Sequence, residues 1–159
     1  MKTNLITQYF EVDHKRLDAA FACFQALKRE SFPEAKQYFK IFYKGLKRHI
    51  VWEEEVLFPL FEEKSGMKNN GPTFVMRDEH RRIGAFLDRI HEKVRKADPL
   101  IDDDERVLLE VLGAHNTKEE QVLYPAIDKL VDQREMVKVF LALENIPAER
   151  YETCCGVQK

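Results

Sequence analysis

No stretch of this sequence is long and apolar enough to span a membrane. The longest such run, Val56-Leu57-Phe58-Pro59-Leu60-Phe61, falls far short of the roughly 20 residues a bilayer requires. The start, Met1 to Asp13, lacks the apolar stretch of a signal peptide. Cysteine is scarce, and three residues do not make a disulfide framework. Cys23, between Phe21 and Phe24, reads as an inert, half-buried thiol, and Cys154-Cys155 as part of a frayed terminal tail. A reducing cytoplasm is therefore the expected location. Glycine and proline are few, six of each against eleven phenylalanines, which favours long helices over many short strands. A net charge of only −2 gives no electrostatic reason to expect nucleic acid. The 159 residues, 44% hydrophobic and 34% charged, suit one domain (1–159) with its own core.

What the chain does have is an internal repeat of 66 residues. His14 and His80 are separated by that interval, and so are His49 and His115. Their flanks repeat as well. Asp13-His14-Lys15-Arg16-Leu17 matches Glu79-His80-Arg81-Arg82-Ile83 in residue type. His49, Glu53-Glu54 and Val56-Leu57-Phe58-Pro59 match His115, Glu119-Glu120 and Val122-Leu123-Tyr124-Pro125. Pro33 and Pro99 keep the same offset. Each repeat, about 12–65 and 73–132, reads as two helices joined by a tight turn. Leu17, Phe21, Phe24 and Leu27 mark the first helix, expected from about Val12 to Glu30, and Ser31-Phe32-Pro33 restarts the chain. Asn69-Asn70-Gly71-Pro72 punctuates the link between repeats. Asp102-Asp103-Asp104 places negative charge where the dipole of a fourth helix favours it. Pro59 and Pro125 fall inside helices and should bend them. A short helix near Arg134 to Leu143 should cap one end. The expected fold is all-α: an antiparallel up-down four-helix bundle of two duplicated hairpins, with a short C-terminal helix.

Turn positions alone then predict which residues meet. A hairpin closing near residues 31–33 sets position i opposite about 63 − i, so His14 faces His49; closure at Ala97-Asp98-Pro99 sets His80 opposite His115. Four residues along a helix amount to about 40° of rotation and about 6 Å of rise. His49 and Glu53 thus aim at one spot, as do His115 and Glu119. If the hairpins pack about a pseudo-twofold axis, four imidazoles and two carboxylates converge in the interior, which is how bundles build metal sites. Buried carboxylates among apolar faces would each cost several kcal/mol without a balancing cation, so His14, His49, Glu53, His80, His115 and Glu119 are the expected metal ligands. His91, about 16 Å further along its helix than His80, is expected at the surface or in a helix-end contact. Glu54 and Glu120 point about 100° away from their neighbours and are expected in solvent or beside Arg16 or Arg82.

Six donors are too many for one tetrahedral zinc. The absence of cysteine among them argues against thiolate zinc and iron–sulfur sites, and calcium and magnesium favour oxygen shells. Iron suits the mixed set best, with manganese or a mixed pair as alternatives. The pattern His14, His49-x-x-x-Glu53, His80, His115-x-x-x-Glu119, with its Glu-Glu-x-Val-Leu-aromatic-Pro continuation, resembles the hemerythrin-like HHE cation-binding family over nearly the whole chain. The resemblance implies two iron ions with an oxo or hydroxo bridge, Glu53 and Glu119 as bridging carboxylates and the four histidines as terminal ligands. Oxygen-carrying members have a further histidine four residues from the one on helix three and end in His-x-x-x-x-Asp. Here the flanking positions are Met76 and Gly84, and the last motif is His-x-x-x-Glu. Each iron would then keep one vacancy, which argues against reversible oxygen carriage and for reaction with O2, peroxide (H2O2) or nitric oxide (NO). The pattern is similar to bacterial proteins of oxidative and nitrosative stress and of iron-centre repair. The alternative expectation is an iron or oxygen sensor, or an iron-delivery protein, without turnover. No catalytic residue is expected beyond the metal centre. An electron donor is not identified; neither a nucleic-acid nor a membrane partner is expected, and the chain should be a monomer or dimer.

Overall fold

A computed structural model describes residues 4–151, and the fold is all-helical, with no strand among them. Five helices follow one another. Helix α1 is Leu5–Leu27. Helix α2 runs as Phe32–Trp52, widens into a π turn at Glu53–Leu57, and continues as Phe58–Ser65. Helix α3 is Pro72–Arg95. Helix α4 repeats the design of α2, with Asp102–Lys118, a π turn at Glu119–Leu123, and Tyr124–Leu130. Helix α5, Gln133–Glu144, opens with a capping box in which Asp132 and Glu135 bond each other's backbone N–H. No helix among the described residues is long and apolar enough to cross a membrane. Cys154 and Cys155 lie outside the described residues.

The first helix begins earlier than the apolar periodicity suggests. Its N-terminus is held from across the fold: Asp128 of α4 accepts from the backbone N–H groups of Ile6 and Thr7, 3.0 Å each, and from the Thr7 hydroxyl at 2.7 Å. The repeat has a counterpart, in which the Thr73 hydroxyl at the start of α3 donates to Glu62 at 2.8 Å. The left-handed backbone of Gly66 (φ 78°) ends α2.

Facing aromatics fix the register of α1 on α2. Phe21 meets Phe42 at 4.6 Å between ring centroids, and Phe24 meets Phe39 at 5.3 Å. Both pairs sum to 63, the value that the turn position demands. Gly45 permits the close approach, since a β-carbon there would lie 2.5 Å from the Leu17 side chain. Two apolar clusters result. One contains Phe21, Phe24, Phe39, Phe42, Ile90 and Leu108. The other contains Phe10, Trp52, Phe58, Phe61 and Ile127, and α5 covers it with Met136, Val139 and Leu143. The candidate donors occupy the level between them. At the far end Lys28, almost fully buried, is neutralised by Glu105 at 2.6 Å. The acidic start of α4 thus also closes the core.

At the two prolines expected to bend the helices, the backbone widens. Pro59 and Pro125 each follow a π turn, in which the N–H of Phe58 reaches back to Glu53 O and that of Tyr124 to Glu119 O. Proline has no N–H and its ring crowds the carbonyl four residues before it; a widened turn absorbs both without breaking the helix. His91 also departs from expectation. It is only 7% exposed and packs on Tyr43, with ring centroids 4.4 Å apart. Burial, with Arg95 nearby, depresses its pKa.

Candidate metal centre

All six sequence-predicted donors arrive at one place. The imidazoles of His14 and His49 lie 4.6 Å apart and those of His80 and His115 4.8 Å. Glu53 and Glu119 are completely buried, and no histidine of the four is more than 5% exposed. The ligating atoms form two sets, His14, His49, Glu53 and Glu119 in one and His80, His115, Glu53 and Glu119 in the other, each within 4.8 Å. The glutamates serve both sets by dividing their oxygens. Glu53 Oε2 stands 3.3 Å from His49 Nε2, and Glu53 Oε1 stands 3.0 Å from His80 Nε2. Glu119 Oε1 stands 3.3 Å from His14 Nε2, and Glu119 Oε2 stands 3.0 Å from His115 Nε2. The π turns start at these two glutamates, an extra residue per turn just where the carboxylates must reach inward.

Every imidazole presents Nε2 to the interior because a carboxylate holds Nδ1. Asp13 holds His49 at 2.9 Å and Glu79 holds His115 at 2.8 Å, each within its own hairpin. Glu120 holds His14 and Glu54 holds His80, both at 2.7 Å, and these two contacts cross between hairpins. Glu54 and Glu120, each about one-third exposed, thus pair with histidines, and neither forms an ion pair with Arg16 or Arg82 among the described residues. Arg16 bonds Asp13 instead, at 2.9 Å. A carboxylate on Nδ1 fixes the tautomer and leaves the Nε2 lone pair for a metal. Sequence reasoning missed the two crossed contacts because it placed residues level within a hairpin and had no measure of rotation between hairpins.

The donor set fits a metal pair. Among the described residues four buried side-chain atoms have no hydrogen-bond partner, and three of them are Glu53 Oε1, Glu119 Oε2 and His80 Nε2. Orphaned polar atoms that deep are costly unless a cation satisfies them. The site's own protons show the same deficit of positive charge. Burial opposes charge on His49 and His80, yet Glu53, with Asp13 on one ring and Glu54 on the other, pushes them up to about 10 and about 9. Burial opposes the Glu53 carboxylate too, but His49 and His80 hold it well below the usual range. One further group enters the site. The hydroxyl of Tyr124, fully buried, hydrogen-bonds Glu53 Oε2 and lies 2.9 Å from Glu119 Oε1. Burial and both glutamates push its pKa far up.

The sequence pattern of the hemerythrin HHE cation binding domain matches residues 5–140. The chain belongs to that family. Among relatives of this hemerythrin-type chain, the iron-sulfur cluster repair protein YtfE of Yersinia pestis (strain Pestoides F) is 35% identical over 54 residues, 34% of this chain and 24% of that protein. The protein of the same name from Edwardsiella ictaluri (strain 93-146) is 47% identical over 45 residues, 28% of this chain and 20% of that one. The hemerythrin-type chain therefore matches a quarter or less of these relatives' length. No solved structure matches it.

Proposed function

We propose that this chain is a non-haem di-iron protein, an up-down four-helix bundle whose metal pair reacts with O2, peroxide or nitric oxide in stress response or detoxification. Glu53 and Glu119 would be shared between the two irons, with His14 and His49 holding one and His80 and His115 the other. One observation carries the reading: each carboxylate sends its two oxygens to different histidine pairs. A single metal would leave half of those oxygens unused. Four nitrogens and two oxygens suit iron better than calcium, magnesium or thiolate-seeking metals.

When bound side by side, two irons would supply electrons in pairs to a small oxidant. The chain's own residues set the terms. Asp13, Glu54, Glu79 and Glu120 orient the imidazoles and raise their basicity toward a cation. The complete burial of Glu53 and Glu119 keeps the site closed to bulky substrates. Asp13 and Glu120 also line surface clefts of about 430 and about 380 Å³, which gives protons a short path from solvent to the imidazoles. The relatives named for iron–sulfur cluster repair support a stress-related role.

Two measurements test the reading. Protein purified without added metal should contain two irons per chain, and Glu53→Ala should lose both; retention of two in the variant would refute bridging. Stopped-flow mixing of the reduced protein with O2, peroxide and nitric oxide should show repeated turnover. A single stoichiometric event would point instead to a sensor or an iron-delivery protein.

A further inference from the structure

The twofold repeat holds at each donor and at each carboxylate behind the histidines, and among the aromatic positions beside them one difference adds an oxygen to the site. Phe58 and Tyr124 are equivalent in the repeat, and both are fully buried. Phe58 lies flat against His80, ring centroids 5.6 Å apart and planes 13° from parallel. Tyr124 lies beside His14 at 5.9 Å but adds an oxygen. That oxygen bonds Glu53 Oε2 and stands 2.9 Å from Glu119 Oε1, 3.2 Å from His49 Nε2 and 3.4 Å from His14 Nε2. These are the four donor atoms of one metal position, and the phenol oxygen touches them all. A metal seated among those four atoms has the phenol oxygen against it. The ring has little room to withdraw, since Phe10 packs on it at 5.1 Å and its backbone follows directly on a π turn.

We propose that the phenol oxygen of Tyr124 is a fifth protein ligand at the position formed by His14, His49, Glu53 and Glu119, so that an added small ligand enters only at the His80 and His115 position. The proposal rests on the di-iron reading and narrows it. Binding exchanges the phenol proton for the metal ion, Tyr–OH plus metal ion giving metal phenolate plus H⁺, and a bound cation reverses the usual cost of a buried anion. With a bridging oxygen the first position then has six ligands and is closed. The second has five and stays open, because Phe58 offers only a ring face. The sequence-based expectation of one vacancy on each iron is replaced by one vacancy in total.

The test uses the full chain loaded with ferric iron. Two irons per chain, a visible phenolate-to-ferric charge-transfer band, and tyrosinate modes enhanced in resonance Raman are expected. Tyr124→Phe, whose new side chain is the one the repeat already carries at 58, should keep two irons and the helical circular dichroism while losing the band. Azide should bind once per iron pair in the wild type and twice in the variant. Two irons without a phenolate band would overturn this proposal alone, as would a band that survives Tyr124→Phe; absence of iron would overturn the di-iron reading with it. Should the variant fail to fold, the wild-type Raman spectrum decides by itself.

Discussion

Glu120, like Glu54, acts across the hairpins. It is part-exposed at 31%, yet it sets the orientation of His14, which is 4% exposed, from the opposite hairpin. Losing a partner of this kind typically costs 10–100-fold in metal affinity. Glu120→Gln should therefore weaken iron binding by about that factor, measured by competition with a chelator, without removing a ligand. The buried imidazoles also predict a pH dependence for the iron-free protein. His49 and His80 are raised from 6.5 to about 10 and about 9. A raised value in the folded state stabilises fully below 6.5, and the stabilisation drains away as pH climbs through 9 to 10. The thermal midpoint of iron-free protein should fall between about pH 6.5 and pH 10. The loaded protein, whose imidazoles carry metal in place of protons, should change little over that window.

At the scale of helices, Asp128 joins the end of α4 to the start of α1. Replacing it with Ala removes an acceptor for two backbone N–H groups and a hydroxyl. Loss of a helix cap costs up to about 2 kcal/mol, so Asp128→Ala should lower stability by about 2 kcal/mol in denaturant unfolding. This scale also shows why some features were legible and others were not. Proline positions fixed where each hairpin turns, and with them the levels at which His14 meets His49 and His80 meets His115. A spacing of four aligned each of His49 and His115 with its glutamate. Rotation of one hairpin against the other leaves no mark in a single sequence, so the crossed contacts of Glu54 and Glu120 were invisible. The role of Tyr124 leaves one signal in the sequence, the exchange of Phe for Tyr at a position the repeat matches to Phe58. For His91, distance from the donors along the helix says nothing of the aromatic wall that Phe39 and Tyr43 build beside it.

For the whole molecule, the donors form a polar waist between two apolar clusters. Without the proposed metal pair, two buried carboxylates there would have only protons to balance them, a costly state for groups so enclosed. The apolar clusters on either side contain none of the donors and should hold. Iron-free protein should keep most of its helical circular dichroism, and amide hydrogen exchange should speed up first at residues 49–57 and 115–123. Uniform loss of protection would mean that the metal organises the entire fold.

The crossed pairs, His14 with Glu120 and His80 with Glu54, have a consequence for ancestry. In them a residue of one half meets a residue of the other, and the equivalent residues meet in reverse. Such reciprocity defines the self-complementary face of a symmetric homodimer. A single hairpin, paired with its own copy, would already have possessed every imidazole and carboxylate of this centre. Fusing two such genes end to end would preserve each of those contacts, and only afterwards would the halves be free to diverge, as Phe58 and Tyr124 have.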